Sequence, residues 1–276
     1  MTTTIAAAQE APIDPPKRIP DNELRIEPCT AKDAPRIVCP VPAQYIIYLL
    51  TLDQAEIIYT CFPQAFWDRK EPPSLSSVDL ATRIQRLAKR ITPSLVFQTH
   101  EIKWIKAVYL PTGEIAGIAG WTAPGAPIHI HFRRTAMELY GWQAKMNWTD
   151  AEVDEMWEHV SDEAWNGTCE KDDAIRRDLL GDEPHWHLAP LATWPSFQGR
   201  GVGRNLLMWA IEQADATVPP TPLYLESAPT ARVVYMRYGF VPVGECNFVR
   251  RGPGVVKGED GKSEIVAKET EVVTAV

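Results

Sequence analysis

Apolar positions along the chain change period several times, and each change predicts an element. In the second half, Leu206, Leu207, Ala210, Ile211 and Ala214 recur at helical spacing, so residues 204–214 read as a helix with one apolar stripe. The apolar stretch 186–193 in front of it reads as a strand, and Leu223, Tyr224 and Leu225 form a short strand after the breaker Pro219-Pro220. Pro229 suits the first turn of a further helix over 230–238, and Gly239 suits its left-handed stop. In the first half, 24–28 reads as a strand. The segment 42–60, with Tyr45, Leu49, Leu52, Ile57 and Ile58, reads as a helix, as does 78–91. Segments 101–110 and 114–121, separated by Pro111-Thr112-Gly113, read as a hairpin.

About sixty residues separate that hairpin from the strand at 186, far more than an ordinary connection needs. Thr149-Asp150-Ala151-Glu152 has the form of a capping box, and Val153, Met156, Trp157, Val160 and Ala164 mark one helical face, so the insert 122–184 is expected to be helical. Trp142, Trp148, Trp157 and Trp165 are expected to pack it onto the core, the alternative being that some line an acceptor pocket. From 150 to 183 there are thirteen Asp or Glu against three Lys or Arg. This charge reads as a solvated face or as a field that draws a cationic amine.

Composition bounds the rest. A chain of 276 residues, 45% of them hydrophobic, suffices for one elaborated domain, placed at 24–250. Residues 1–23 are rich in Thr, Ala and Pro without apolar periodicity and are expected to form a disordered tail. They lack the basic start and apolar run of an export signal. Residues 251–276 read as a tail or a last edge strand. No apolar run approaches the roughly 20 residues a membrane span needs, so no membrane partner is expected. The net charge of −8 without a basic face excludes a nucleic-acid partner. Cys29, Cys39, Cys61, Cys169 and Cys246 include no C-x-x-C pair, which suits reduced thiols and a cytoplasmic location. His129 and His131 lack a third ligand in view, so no metal is expected.

The chemistry concentrates in Gln198-Gly199-Arg200-Gly201-Val202-Gly203, between the strand at 186–193 and the helix after it. Glycines let main chain approach a ligand closely, and the free N–H groups of a helix N-terminus attract phosphate oxygens. A P-loop would need Lys and then Ser or Thr after the last glycine, where Arg204 and Asn205 stand, so ATP chemistry is not expected. A dinucleotide fingerprint starting at Gly199 would need glycine at Arg204. The pattern left is Gln, two residues, Gly, one residue, Gly. Together with Leu225-Glu226-Ser227-Ala228-Pro229 and the ending Tyr235-Met236-Arg237-Tyr238-Gly239-Phe240, it resembles the GNAT superfamily of acyl-CoA-dependent N-acyltransferases.

The resemblance implies an α/β fold with a mostly antiparallel central sheet, a bulged and splayed strand pair, flanking helices and acetyl-CoA as co-substrate. Pro190, which cannot donate to a sheet ladder, suits the bulge. The implied cofactor-binding residues are Leu191 and Thr193, through main chain along the pantetheine arm, and Gln198, Gly199, Arg200, Gly201, Val202, Gly203 and Arg204 around the phosphates. Tyr235 stands where family members keep the acid that protonates the departing thiolate. His187 and Glu226 are the alternatives for the base, a water chain being the third. The implied reaction is acetyl transfer to a primary amine, with a small molecule expected as acceptor. A protein lysine or N-terminus is the alternative acceptor, and a non-catalytic acyl-CoA-binding module the alternative of another class.

Overall fold

The computed structural model describes residues 17–29, 43–75, 77–253, 255–257 and 263–265. Cys39, most of the expected tail 1–23 and the end of the chain lie outside the described residues.

Strand β1 (Leu24–Pro28) pairs antiparallel with β2 (Ile102–Tyr109), and β2 with β3 (Glu114–Thr122) across the expected hairpin turn. β4 (Trp186–Thr193) lies antiparallel to β3 and parallel to β5 (Leu223–Glu226). β6 (Val241–Pro242) and β7 (Asn247–Arg250) complete a sheet ordered β1-β2-β3-β4-β5-β7-β6. This is the mostly antiparallel α/β architecture expected. Residues 255–265 contribute β8 (Val255–Lys257) and β9 (Ser263–Ile265), which pair only with each other among the described residues.

Strand alternation divides the core between the two faces of this sheet. Ile102, Trp104 and Ile118 turn toward α1 (Ala43–Cys61) and α3 (Leu80–Phe97), while Ile105, Ala107, Ala119 and Trp121 turn the other way. Two helical segments differ from expectation. α2 (Gln64–Lys70) is too short to show a period, and is held by Trp67, 4% exposed. α3 was expected to stop at residue 91 but continues through Pro93, and the hydroxyls of Thr92 and Ser94 on either side of it donate to the carbonyls of Ala88 and Ile91.

The insert folds as α4 (Ala136–Leu139), α5 (Trp142–Met146), α6 (Asp150–Trp157), a π-helical turn (Glu163–Gly167) and α7 (Thr168–Leu180). Both arms of the Thr149–Glu152 capping box form. Trp142, Trp157 and Trp165 are buried and Trp148 packs against them, so the tryptophans serve as packing. A buried charge ties insert to core. Glu71, fully buried, accepts from the Tyr59 hydroxyl at 2.7 and 2.8 Å and faces Arg90 at 3.4 Å and Arg83 at 3.6 Å. The Arg90 guanidinium lies 4.7 Å from the Trp157 ring and 4.9 Å from that of Trp165. Much of the insert's acidity faces solvent, but Asp173 is buried, accepting from Ile130 N, Arg133 and Arg176, each at 3.0 Å.

Helix α8 (Val202–Asp215) covers the opposite face with the expected stripe, every member of which is buried. Residues 17–23, assigned by sequence to the tail, are packed beside it. Ile19 is 1% exposed, its N–H donates to Arg200 O at 3.0 Å, and Asp21–Glu23 form a 3-10 turn.

Candidate functional site

The site grows from a mismatch between neighbouring strands. Ala119 pairs with Leu191 and Trp121 with Leu188, which leaves Ala189 and Pro190 opposite Gly120 alone. This is the bulge expected at Pro190. A Cβ on Gly120 would stand 2.6 Å from Ala189 O, so only glycine fits there. On its other side β4 pairs with β5 through Trp186, His187 and Leu188 alone. Beyond Leu188 the parallel pair separates into a wedge.

Main-chain direction alternates along a strand, and Trp194 N donates to Ala116 O on β3. Leu191 and Thr193 therefore turn their main-chain groups away from β3, toward the wedge. Thr193 O accepts from the Cys61 thiol at 2.9 Å and from the Gln198 side chain at 3.0 Å, so Gln198 braces the turn that follows.

That turn runs through a 3-10 segment, Pro195–Phe197, into α8. Gly199 and Gly201 take φ of 71° and 93°, values that L side chains resist. Asn205 N bonds Gly201 O, so the N–H groups of Val202, Gly203 and Arg204 are the first-turn donors without an intrahelical partner. They form a cradle for an anion. The two arginines differ in setting. Arg200 lies over the rings of Phe197 and Tyr109 at 5.4 and 5.7 Å, whereas Arg204 sits 3.8 Å from Asp21. Arg18, paired with Asp21 at 2.9 Å, passes its stem 3.5 Å from where a Cβ on Gly201 would stand. Sequence reasoning missed Arg18 and Asp21, because nothing local in a proline-rich tail signals a contact so remote along the chain.

The two alternatives for the base prove to be one unit. His187 Nε2 lies 2.9 Å from Glu226 Oε2, since His187 and Tyr224 are register partners and both strands turn these positions toward the insert. His187 is 1% exposed. Burial, with Arg176 beside it, holds its pKa well below the ordinary value and favours the neutral ring. Burial pushes Glu226 up to about 7, with Arg176 holding it down and Asp173 pushing it up. Glu226 Oε1 and His187 Nδ1 have no hydrogen-bond partner among the described residues. The Glu226 side chain is 19% exposed, so it is the outer member of the pair. α7 roofs this region, with Arg176 lying 6.0 Å from the Tyr224 ring.

Tyr235 sits on the other face. It belongs to α9 (Arg232–Met236), which follows the 3-10 turn Pro229–Ala231, and it packs half-buried with the α8 core, 6.0 Å from Phe240. Burial pushes its phenol up to about 12. The Glu226 carboxyl and the Tyr235 phenol thus lie on opposite faces of the sheet. His129, bonded to Thr135 Oγ1, and His131, packed on Phe132 and Trp104, lie apart from any three-residue metal-ligating group among the described residues.

Residues 148–257 match the family model described as an acetyltransferase (GNAT) domain. A search of curated proteins found no match. Among solved structures, the chain is similar to histone acetyltransferase HPA2 and related acetyltransferase from Corynebacterium glutamicum, with 19% identity, 88% of this chain and 93% of that one covered, and a TM-score of 0.42. An N-acetyltransferase from Staphylococcus aureus Mu50 has 14% identity, coverage of 82% and 98%, and a TM-score of 0.45. AtaTR bound with AcCoA has 15% identity, coverage of 83% and 92%, and a TM-score of 0.36. No helix among the described residues is long and apolar enough to cross a membrane.

Proposed function

We propose that the chain, whose residues 148–257 match the family model of an acetyltransferase (GNAT) domain, transfers the acetyl group of acetyl-CoA to a primary amine of a small molecule by direct attack. The observation that carries this reading is the wedge between β4 and β5, with an anion cradle at its end and a neutral-range carboxylate beside it.

Acetyl-CoA supplies the activated thioester carbonyl. The N–H groups of Val202, Gly203 and Arg204 hold its phosphates, and the outward main chain of Leu191 and Thr193 holds the extended arm. Main-chain N–H near Leu191 faces the developing oxyanion. Glu226 accepts the amine proton at Oε1, and His187 positions it by donating to Oε2. A base whose pKa lies near 7 is deprotonated at working pH yet still basic enough to accept. Tyr235 donates its proton to the leaving sulfur from the opposite face, and its raised pKa keeps that proton in place until the thiolate forms. The cover of α7 over the His187 face favours a small acceptor over a protein lysine.

The test is release of CoA from acetyl-CoA, with and without a panel of small amines and lysine peptides, in wild type and Glu226→Gln. Release that depends on a small amine and falls in the variant supports the reading. Release with peptides alone moves the acceptor to protein, and acetyl-CoA binding without transfer to any amine sinks the enzymatic reading in favour of a binding module.

A further inference from the structure

A second concavity lies away from the wedge. It is a cavity of about 400 Å³ between the middle of α1, the start of β3 and the segment 194–197. Ile118 on its wall pairs with Ala192, whereas Thr122 pairs with His187. The four residues between those levels span about 13 Å of strand. The cavity therefore stands apart from the His187–Glu226 pair, between β3 and α1.

Its chemistry is one-sided. Ile57, Ile118, Trp194 and Phe197 make the walls apolar and partly aromatic. The polar groups are mostly acceptors: the exposed carboxylates Asp53 and Glu114 at the rim, and Gln54 inside. Gln54 is 4% exposed, and its Oε1 has no hydrogen-bond partner among the described residues, an expensive arrangement unless a donor fills it. No Lys, Arg or His is among the described lining residues. Partial desolvation, and after it the neighbouring Glu56, raises the Asp53 carboxyl above its ordinary range, as for a carboxylate without a cation.

We propose that this cavity is a binding site for a small organic cation, an ammonium on an aromatic or alkyl body, whose N–H groups reach Gln54 Oε1 and the rim carboxylates while its body packs on Trp194 and Phe197. Apolar walls with a few convergent polar groups are the usual form of a small-molecule site. An aromatic face beside the carboxylates adds cation–π attraction. The assignment stands on this cavity alone and does not rest on the acetyl-transfer reading.

Calorimetric titration of the full chain with 2-phenylethylammonium tests it, with neutral 2-phenylethanol as the control ligand. The expected result is saturable binding of the ammonium, at least about tenfold weaker binding of the alcohol, and a loss of about tenfold or more in the double variant Asp53→Asn, Glu114→Gln. Both rim residues are exposed, so the double variant keeps its fold, and its melting temperature verifies this. No saturable binding, equal affinity for the alcohol, or undiminished affinity in the double variant each overturns the proposal.

Discussion

Gly203→Val separates the fold from the anion cradle, because the space around Gly203 is open on the protein side. A Cβ there would meet Leu191 Cδ2 at 3.5 Å and Thr193 Oγ1 at 3.8 Å, both ordinary contacts, and its φ is not in the left-handed region. Valine has a helix propensity better than that of glycine by a few tenths of a kcal/mol, so stability should stay within about 0.5 kcal/mol and Tm within about 2 °C. Binding should behave differently. The branched side chain would stand beside Leu191 and Thr193, where the cofactor arm meets the cradle, and hold a phosphate away from the first-turn N–H groups. Charge-assisted hydrogen bonds contribute about 1.5–3 kcal/mol each. Loss of one such bond therefore predicts about 10- to 150-fold weaker acetyl-CoA binding. Titration calorimetry, beside a melting curve of the same sample, measures both quantities. Unchanged affinity in a variant with native Tm would refute the claim that α8 receives the phosphates.

Tyr235→Phe should leave acetyl-CoA affinity within about twofold and lower kcat by about 10- to 100-fold. Equal turnover would assign the sulfur's proton to another donor. For Glu226 the sign follows from a carboxyl raised to about 7: below that pH it holds its proton and cannot act as base, so kcat/KM should rise as pH increases through about 7. Glu226→Gln should remove that limb of the profile, and a persisting limb would show that the titrating group is another one. Gly120→Ala forces a Cβ to 2.6 Å from Ala189 O and 3.2 Å from Pro190 Cδ, so it should cost about 1–3 kcal/mol. A melting temperature equal to wild type would show that the bulge is not closely packed against β3.

The features legible along the chain are local ones. The stripe from Leu206 to Ala214, the Thr149–Glu152 capping box, the hairpin turn at Pro111-Thr112-Gly113 and the glycine run after Gln198 are each specified within a few residues by period, propensity or backbone freedom. Pro190 marked its bulge for the same reason, since a missing N–H is visible without knowing the partner strand. α2 and the end of α3 were less legible. Seven residues carry too little period, and Pro93, which has no N–H to donate, reads as a stop although the helix runs on to Phe97. The tertiary structure decided whatever depends on residues distant in sequence. His187 and Glu226 compete as alternatives in the chain but stand 2.9 Å apart in the fold, because a parallel pairing sets His187 beside Tyr224. Desolvation under α7 then moves the Glu226 pKa, an effect no local pattern encodes. The last residues of the apparent tail were settled the same way: Ile19 is buried only because the main chain of Arg200 receives it. Hydrogen bonding and burial act through space, whereas propensity acts along the chain.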